Sequence, residues 1–231
     1  MKKTPNAFFA LAKDQVNNAL NLYLYNDIVG DSYDFWTGEL IASDTSAMAI
    51  AKQLEDAGEV AEINVYINSY GGDVKEGLGI YTQLKRSAAT VTAYIDGFAC
   101  SIASVIAMAA DKVVMGNASL MMIHKAWTCA CGNADELRKM AEDLDVIDAS
   151  IREAYLAKVG YKMSEDKLVE LLGAETWLTA QQCVDCGLAD EIAADKVAEE
   201  VEEAIEEAKE DSKQAALRAK LFDMLQNIKI N

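Results

Sequence analysis

Residues 62–81 read EINVYINSYGGDVKEGLGIY, and the succession of residue types in them decides the fold. EINVYIN is a β-branched, apolar run of strand length. SYGGD is a turn. VKEGLGIYTQLKRS then continues as a helix, weakened by Gly77 and Gly79. Upstream, LYLYNDIV (22–29) reads as a strand, and Ser43-Asp44-Thr45 offers an N-cap for the amphipathic helix SAMAIAKQLEDAG, stopped by Gly58. Downstream, TVTAYI (90–95) is a strand and GFACSIASVIAMAA a small-residue helix, followed by short strands at KVVMG and LMMIH. Strands alternating with helices predict an α/β fold with a mostly buried sheet. Such sheets bind ligands at the C-terminal ends of their strands.

The pattern changes at Asn133. Leu137, Met140, Leu144, Ile147, Ile151 and Tyr155 form one stripe on a helix running to Gly160. At ~1.5 Å per residue it is roughly 40 Å long. It is either a core helix or an arm that packs against another subunit. After GLADEI, Asp195 to Asp211 holds nine acids and two lysines. This acidic tail reads as a solvated helix or a docking element, with ALRAKLFDMLQNI as a short amphipathic end. The chain thus divides into an N-terminal segment (1–21), a main domain (22–192, with the long helix at about 133–160) and an acidic helical tail (193–231).

The net charge of −17 and pI of about 4.4 argue against nucleic acid as a partner. No apolar run reaches the ~20 residues of a membrane span. The N-terminus MKKTPNAFFALAKDQ is too short and broken in its apolar part for a signal peptide, which predicts a cytoplasmic protein. Five cysteines without such a signal favour reduced thiols. Cys129 with Cys131 and Cys183 with Cys186 can be drawn as a zinc site. The second pair, however, sits in a helix ending at Gly187, and no metal is expected. Without a P-loop, no nucleotide or other cofactor is expected either.

Three features carry chemistry. Ser101 follows a strand and the Gly97 turn and opens a helix, where free N–H groups and the helix dipole surround its hydroxyl. It is a candidate nucleophile or simply an N-cap. Gly71-Gly72 at a strand end frees backbone N–H groups for an oxyanion hole, or makes an ordinary turn. His124 is the sole histidine in 231 residues. It is a buried core histidine or the base of a serine hydrolase, which needs a nucleophile, a base and an acid to orient the base.

INSYGGDV with GLGIY, DGFACSIAS, LMMIHKAW and ETWLTAQQCVDCGLADEI follow in an order and spacing that resembles the Clp protease proteolytic subunit family. The likeness extends from Leu22 to Ile192 and is nearest to the phage branch, the Clp-like head maturation (prohead) proteases. It implies a crotonase-type core of repeated strand–strand–helix turns with a protruding helical handle at 133–160. It places the nucleophile at Ser101, the general base at His124, the acid at Glu175 and the oxyanion donors at the N–H groups of Gly72 and Ile102. Glu175 stands where the bacterial peptidase has Asp. Tyr70 replaces Pro, and Cys100 replaces Ala, which predicts an alkylation-sensitive thiol beside the nucleophile. The implied function is an ATP-independent serine endopeptidase of prohead maturation, cleaving scaffold and capsid proteins. It would act as a homo-oligomeric ring stacked through handles, in the host cytoplasm and inside procapsids. Two alternatives are a housekeeping Clp peptidase working with an unfoldase and a catalytically silent assembly protein of the same fold.

Overall fold

A computed structural model of the chain describes residues 12–14 and 18–194. The acidic tail expected from residue 193 lies almost wholly outside them. In chain order the strands are β1 (Ala12–Asp14), β2 (Ala19–Leu24), β3 (Ser32–Tyr33), β4 (Leu40–Ile41), β5 (Glu62–Ser69), β6 (Thr90–Cys100), β7 (Lys112–Met115), β8 (Leu120–Ile123), β9 (Thr176–Thr179) and β10 (Glu191–Ile192). The helices are α1 (Ala47–Ala57), α2 (Val74–Arg86), α3 (Ile102–Ala107), α4 (Ala134–Val159), α5 (Glu165–Gly173) and α6 (Ala180–Cys186).

The main sheet runs β1-β2-β5-β6-β7-β10, parallel except for the β1–β2 pair. Register aligns Leu22 with Val65 and Ala93, and Leu24 with Ile67 and Ile95. These residues are buried, and α1, α2 and α3 contact their strands or one another. On the opposite face Tyr23, Tyr66 and Tyr94 stack with centroids 4.9 and 5.1 Å apart. These rings are half-buried, so the mostly buried sheet is covered more fully on the helix face than on this one.

Three boundaries differ from the sequence reading. The first long strand spans Ala19–Leu24 rather than 22–29. Beyond Leu24 the carbonyls of Asn26 and Asp27 are taken by the hydroxyls of Ser69 and Thr45, both at 2.7 Å, instead of by a ladder. The α1 cap is Ser46, whose hydroxyl accepts from Ala49 N–H. Last, GFAC belongs to β6, not to a helix. A register shift between Ile67 and Ser69 lets β6 leave β7 and pair with β8 from Phe98 to Cys100. Gly97 sits at that bend, where a Cβ would lie 2.5 Å from Asn68 Oδ1.

The long helix forms as its stripe predicted. Asn133 and Glu136 close a capping box at its start. Its two halves behave differently. Ile151, Ala154, Tyr155 and Val159 join the core, whereas Leu137, Met140 and Val146 are exposed.

Candidate active site

The bent β6 delivers Ser101, and β8 delivers His124. Cys100 pairs with Met122 in that register, and the Ser101 N–H donates to Met122 O at 2.8 Å. Two residues 23 positions apart therefore leave adjacent strand ends side by side. His124 Nε2 lies 2.6 Å from Ser101 Oγ. Ser101 occupies the N-cap position of α3, yet its side chain makes no capping bond. Its hydroxyl faces the imidazole instead. Its backbone has φ 55° and ψ −131°, a conformation that costs a non-glycine residue of order 1–3 kcal/mol. The fold over-determines it: the Ser101 N–H is held by β8, and its carbonyl accepts from Ser104 N–H and, at 2.6 Å, from Ser104 Oγ.

The Gly71-Gly72 turn packs directly on this elbow. A Cβ on Gly71 would stand 2.7 Å from Ser101 Cβ and 3.2 Å from Ile102 N. Gly72 has φ 145° and bridges to Ile28. That bridge uses Gly71 O and Asp73 N–H, which leaves the Gly72 N–H without a hydrogen bond among the described residues. The Ile102 N–H is the first of α3, where no intrahelical acceptor exists. Two free donors thus flank the serine.

Glu175 precedes β9, which runs antiparallel to β8 with Ile123 opposite Thr176. Continued by one step, that register sets Glu175 across from His124, and Glu175 has a left-handed φ of 50°. Both residues line one cavity of about 730 Å³ with Ser101, Gly72, Tyr70 and Asp27. Among the described residues no hydrogen bond joins the Glu175 carboxylate to the imidazole. Asp27 is a second carboxylate on the cavity wall that the sequence reading did not single out. Nothing local marks it, because it enters through the long-range Ile28–Gly72 bridge.

Cys100 corrects an expectation. It is completely buried, and burial pushes its thiol up to about 11. Burial shields the thiol and disfavours its thiolate, which argues against the expected alkylation sensitivity. Cys183 is buried in α6, while Cys129 and Cys131 are exposed in the loop after His124. Among the described residues no three His, Cys, Asp or Glu side chains are placed to hold a metal ion, and no helix is long and apolar enough to cross a membrane.

Comparison with known proteins places the chain in a family. The family model for Clp protease matches residues 24–196. An ATP-dependent Clp protease proteolytic subunit of Ligilactobacillus salivarius is 31% identical over 183 residues, which are 75% of this chain and 88% of the relative. The protein of the same description from Bacteroides fragilis is 31% identical over 137 residues, 58% of this chain and 65% of the relative. The match to the Bacteroides subunit therefore spans just under two thirds of its length. With the bent β6, the serine elbow and the long helix in the matched region, the chain belongs to the Clp protease family.

Proposed function

We propose that the chain is a serine endopeptidase with Ser101 as nucleophile and His124 as general base. The observation that carries this reading is the 2.6 Å approach of His124 Nε2 to Ser101 Oγ, beside two unengaged backbone donors. His124 takes the hydroxyl proton as Oγ attacks the peptide carbonyl carbon. The N–H groups of Gly72 and Ile102 hold the oxyanion that forms. His124 then gives the proton to the leaving amine, and the acyl group stays on Ser101. Water attacks the ester, its proton passes to His124, and collapse returns a proton to Ser101. Glu175 is proposed to orient the imidazole from across the cavity; such contacts are often long without substrate and tighten when it binds. None of these steps draws on a metal or nucleotide.

The biological setting is proposed from the sequence resemblance: cleavage of scaffold and capsid proteins by a ring of these chains during phage head maturation, in the host cytoplasm and inside procapsids. A second reading has support in the descriptions of the relatives, which are ATP-dependent Clp proteolytic subunits. In that reading an unfoldase feeds the ring.

The test of the chemistry is fluorophosphonate labelling with peptide mapping. Labelling is expected at Ser101 and is expected to vanish in His124→Ala. A correctly folded oligomer that takes no label would remove the peptidase reading and leave a silent assembly protein of the same fold. Digestion of folded capsid and scaffold proteins without ATP would then separate the two settings.

A further inference from the structure

A second cavity, of about 630 Å³, adjoins the first. The two share Asp27, Val29 and Tyr70, and Tyr70 directly precedes the glycine pair. The β3–β4 hairpin closes the far side through Ser32 and Ile41. We propose that this outer cavity is a second part of the substrate groove and takes a lysine or arginine side chain of the bound polypeptide. The proposal rests on the serine peptidase reading and adds a specificity to it.

Charge and wall chemistry select the occupant. Among the described residues, the charged ones lining the outer cavity are Asp27 and Asp44, and no lysine or arginine lines it. Neither carboxylate has an ion pair or side-chain hydrogen bond among the described residues, so two negative charges face the cavity uncompensated. An anionic side chain is repelled there. Three aromatic residues, Tyr25, Tyr70 and Phe98, stand among otherwise small, polar or aliphatic lining residues. Tyr25 is fixed by the hydrogen bond of its hydroxyl to Asp96, and Tyr70 packs edge-on against Phe98 with centroids 5.3 Å apart. A cation set between carboxylates and ring faces gains from both. A long aliphatic stem with a charged head also suits a half-apolar, solvent-open space.

Adjacency limits where in the substrate the cation lies. The outer cavity shares Asp27, Val29 and Tyr70 with the cavity that holds Ser101. The preferred position is therefore within a few residues of the scissile bond, on one side of it only.

The experiment uses the full-length oligomer and quenched fluorescent peptides. Lysine, glutamine or glutamate is placed in turn at each of four positions on either side of the cleavage point. Hydrolysis of a small activated ester, which does not reach the outer cavity, reads the Ser101 chemistry separately. Lysine at one position on one side of the cleavage point is expected to raise kcat/KM about fivefold to tenfold over glutamine, the size of one exposed ion pair plus one cation–π contact. The preference is expected to shrink in high salt and in Asp44→Asn, and to turn towards glutamate in Asp44→Lys. Asp44 is exposed and makes no side-chain bond among the described residues, so these variants are expected to fold. Ester turnover with equal rates for all three residues at every position would overturn the proposal and leave the peptidase reading intact. Absence of both ester turnover and fluorophosphonate labelling would remove that reading and the proposal with it.

Discussion

Ser104 Oγ lies 2.7 Å from the phenolic oxygen of Tyr155, and both side chains are completely buried. The pair joins α3 to the core half of the long helix α4. Ser104 Oγ donates to the Ser101 carbonyl at 2.6 Å, so Tyr155 is the donor to Ser104. Burial pushes the phenol further above its ordinary range, which keeps it a neutral donor. The backbone of the serine elbow is thus tied to the handle helix through two hydrogen bonds in the core.

Removing each end of this relay has an unequal effect. Tyr155→Phe takes away one neutral hydrogen bond and leaves Ser104 bonded to Ser101, a loss of about 1 kcal/mol. Ser104→Ala leaves the phenol buried without its acceptor and the Ser101 carbonyl with only the backbone N–H of residue 104, which costs about 1–3 kcal/mol. Urea unfolding is expected to rank Ser104→Ala as the less stable variant. It is also expected to label more slowly with fluorophosphonate at temperatures where it remains folded. Equal stabilities would show that the two hydroxyls are satisfied by something else.

Gly72→Ala tests the turn. At φ 145° a side chain is strained, and the new Cβ would lie 2.2 Å from the Ile28 carbonyl oxygen. Backbone must move, and it is the backbone that carries the proposed oxyanion donor. Loss of one such donor lowers kcat by roughly 10²–10³. Ester turnover in this variant is expected to fall by at least that factor, with KM little changed. Turnover near wild type would remove Gly72 from the oxyanion hole.

Much of this architecture is legible in the sequence, and the limits have physical causes. EINVYINS and the long stripe to Tyr155 form the elements that their periodicities predict, because alternate apolar residues of the strand and the C-terminal part of the stripe face the core. Ser101 and His124 are paired in the sequence by the resemblance of DGFACSIAS and LMMIHKAW to the Clp motifs, since ten other serines leave the lone histidine no unique partner. GFAC, by contrast, is small and apolar enough for a helix, and only pairing with β8 makes it a strand. The β3–β4 hairpin carries exposed Phe35 and Trp36 and leaves no periodic signal in its two-residue strands. Asp27, Asp44 and the Ser104–Tyr155 contact depend on long-range closure, which no local pattern encodes.

Glu76 supplies a pH dependence in stability. Its side chain is only 8% exposed; it pairs with Lys75 at 2.8 Å and accepts from the Ala47 N–H at 2.8 Å. Lys75 first, then that amide, lower its pKa below the usual carboxylate value. A folded-state pKa below the unfolded one adds stability above the unfolded value of about 4.3 and loses it as pH falls through the folded one. Melting temperatures below about pH 4.3 are therefore expected to drop more steeply for the wild type than for Glu76→Gln. Parallel curves would mean that Glu76 titrates alike in both states.

The exposed half of α4 is expected to carry contacts between copies of the chain. Leu137 and Met140 are 44% and 40% exposed on the apolar stripe, whereas Leu144 is partly buried within this subunit. Met140→Asp therefore places a charge at a contact between subunits with less damage to its own fold than Leu144→Asp. Sedimentation velocity is expected to show a smaller species for Met140→Asp with an unchanged circular dichroism spectrum. A wild-type sedimentation coefficient would exclude this face from assembly.

Thiol reactivity separates the serine elbow from the loop that follows His124. Cys100 adjoins the nucleophile in sequence but has no exposed surface, and its thiol is pushed up to about 11. Cys183 is equally buried, and its thiol is pushed up to about 12. Alkylation requires an accessible thiolate, and neither residue presents one at neutral pH. Cys129 and Cys131 are exposed. Brief iodoacetamide treatment at pH 8 with peptide mapping is therefore expected to modify Cys129 and Cys131 and to spare Cys100 and Cys183. Labelling of Ser101 by fluorophosphonate is expected to survive that treatment, since the modified thiols lie in the loop rather than under the elbow. Rapid modification of Cys100 in folded protein would mean that β6 opens at its C-terminal end, and Ser101 labelling would then be lost at the same rate.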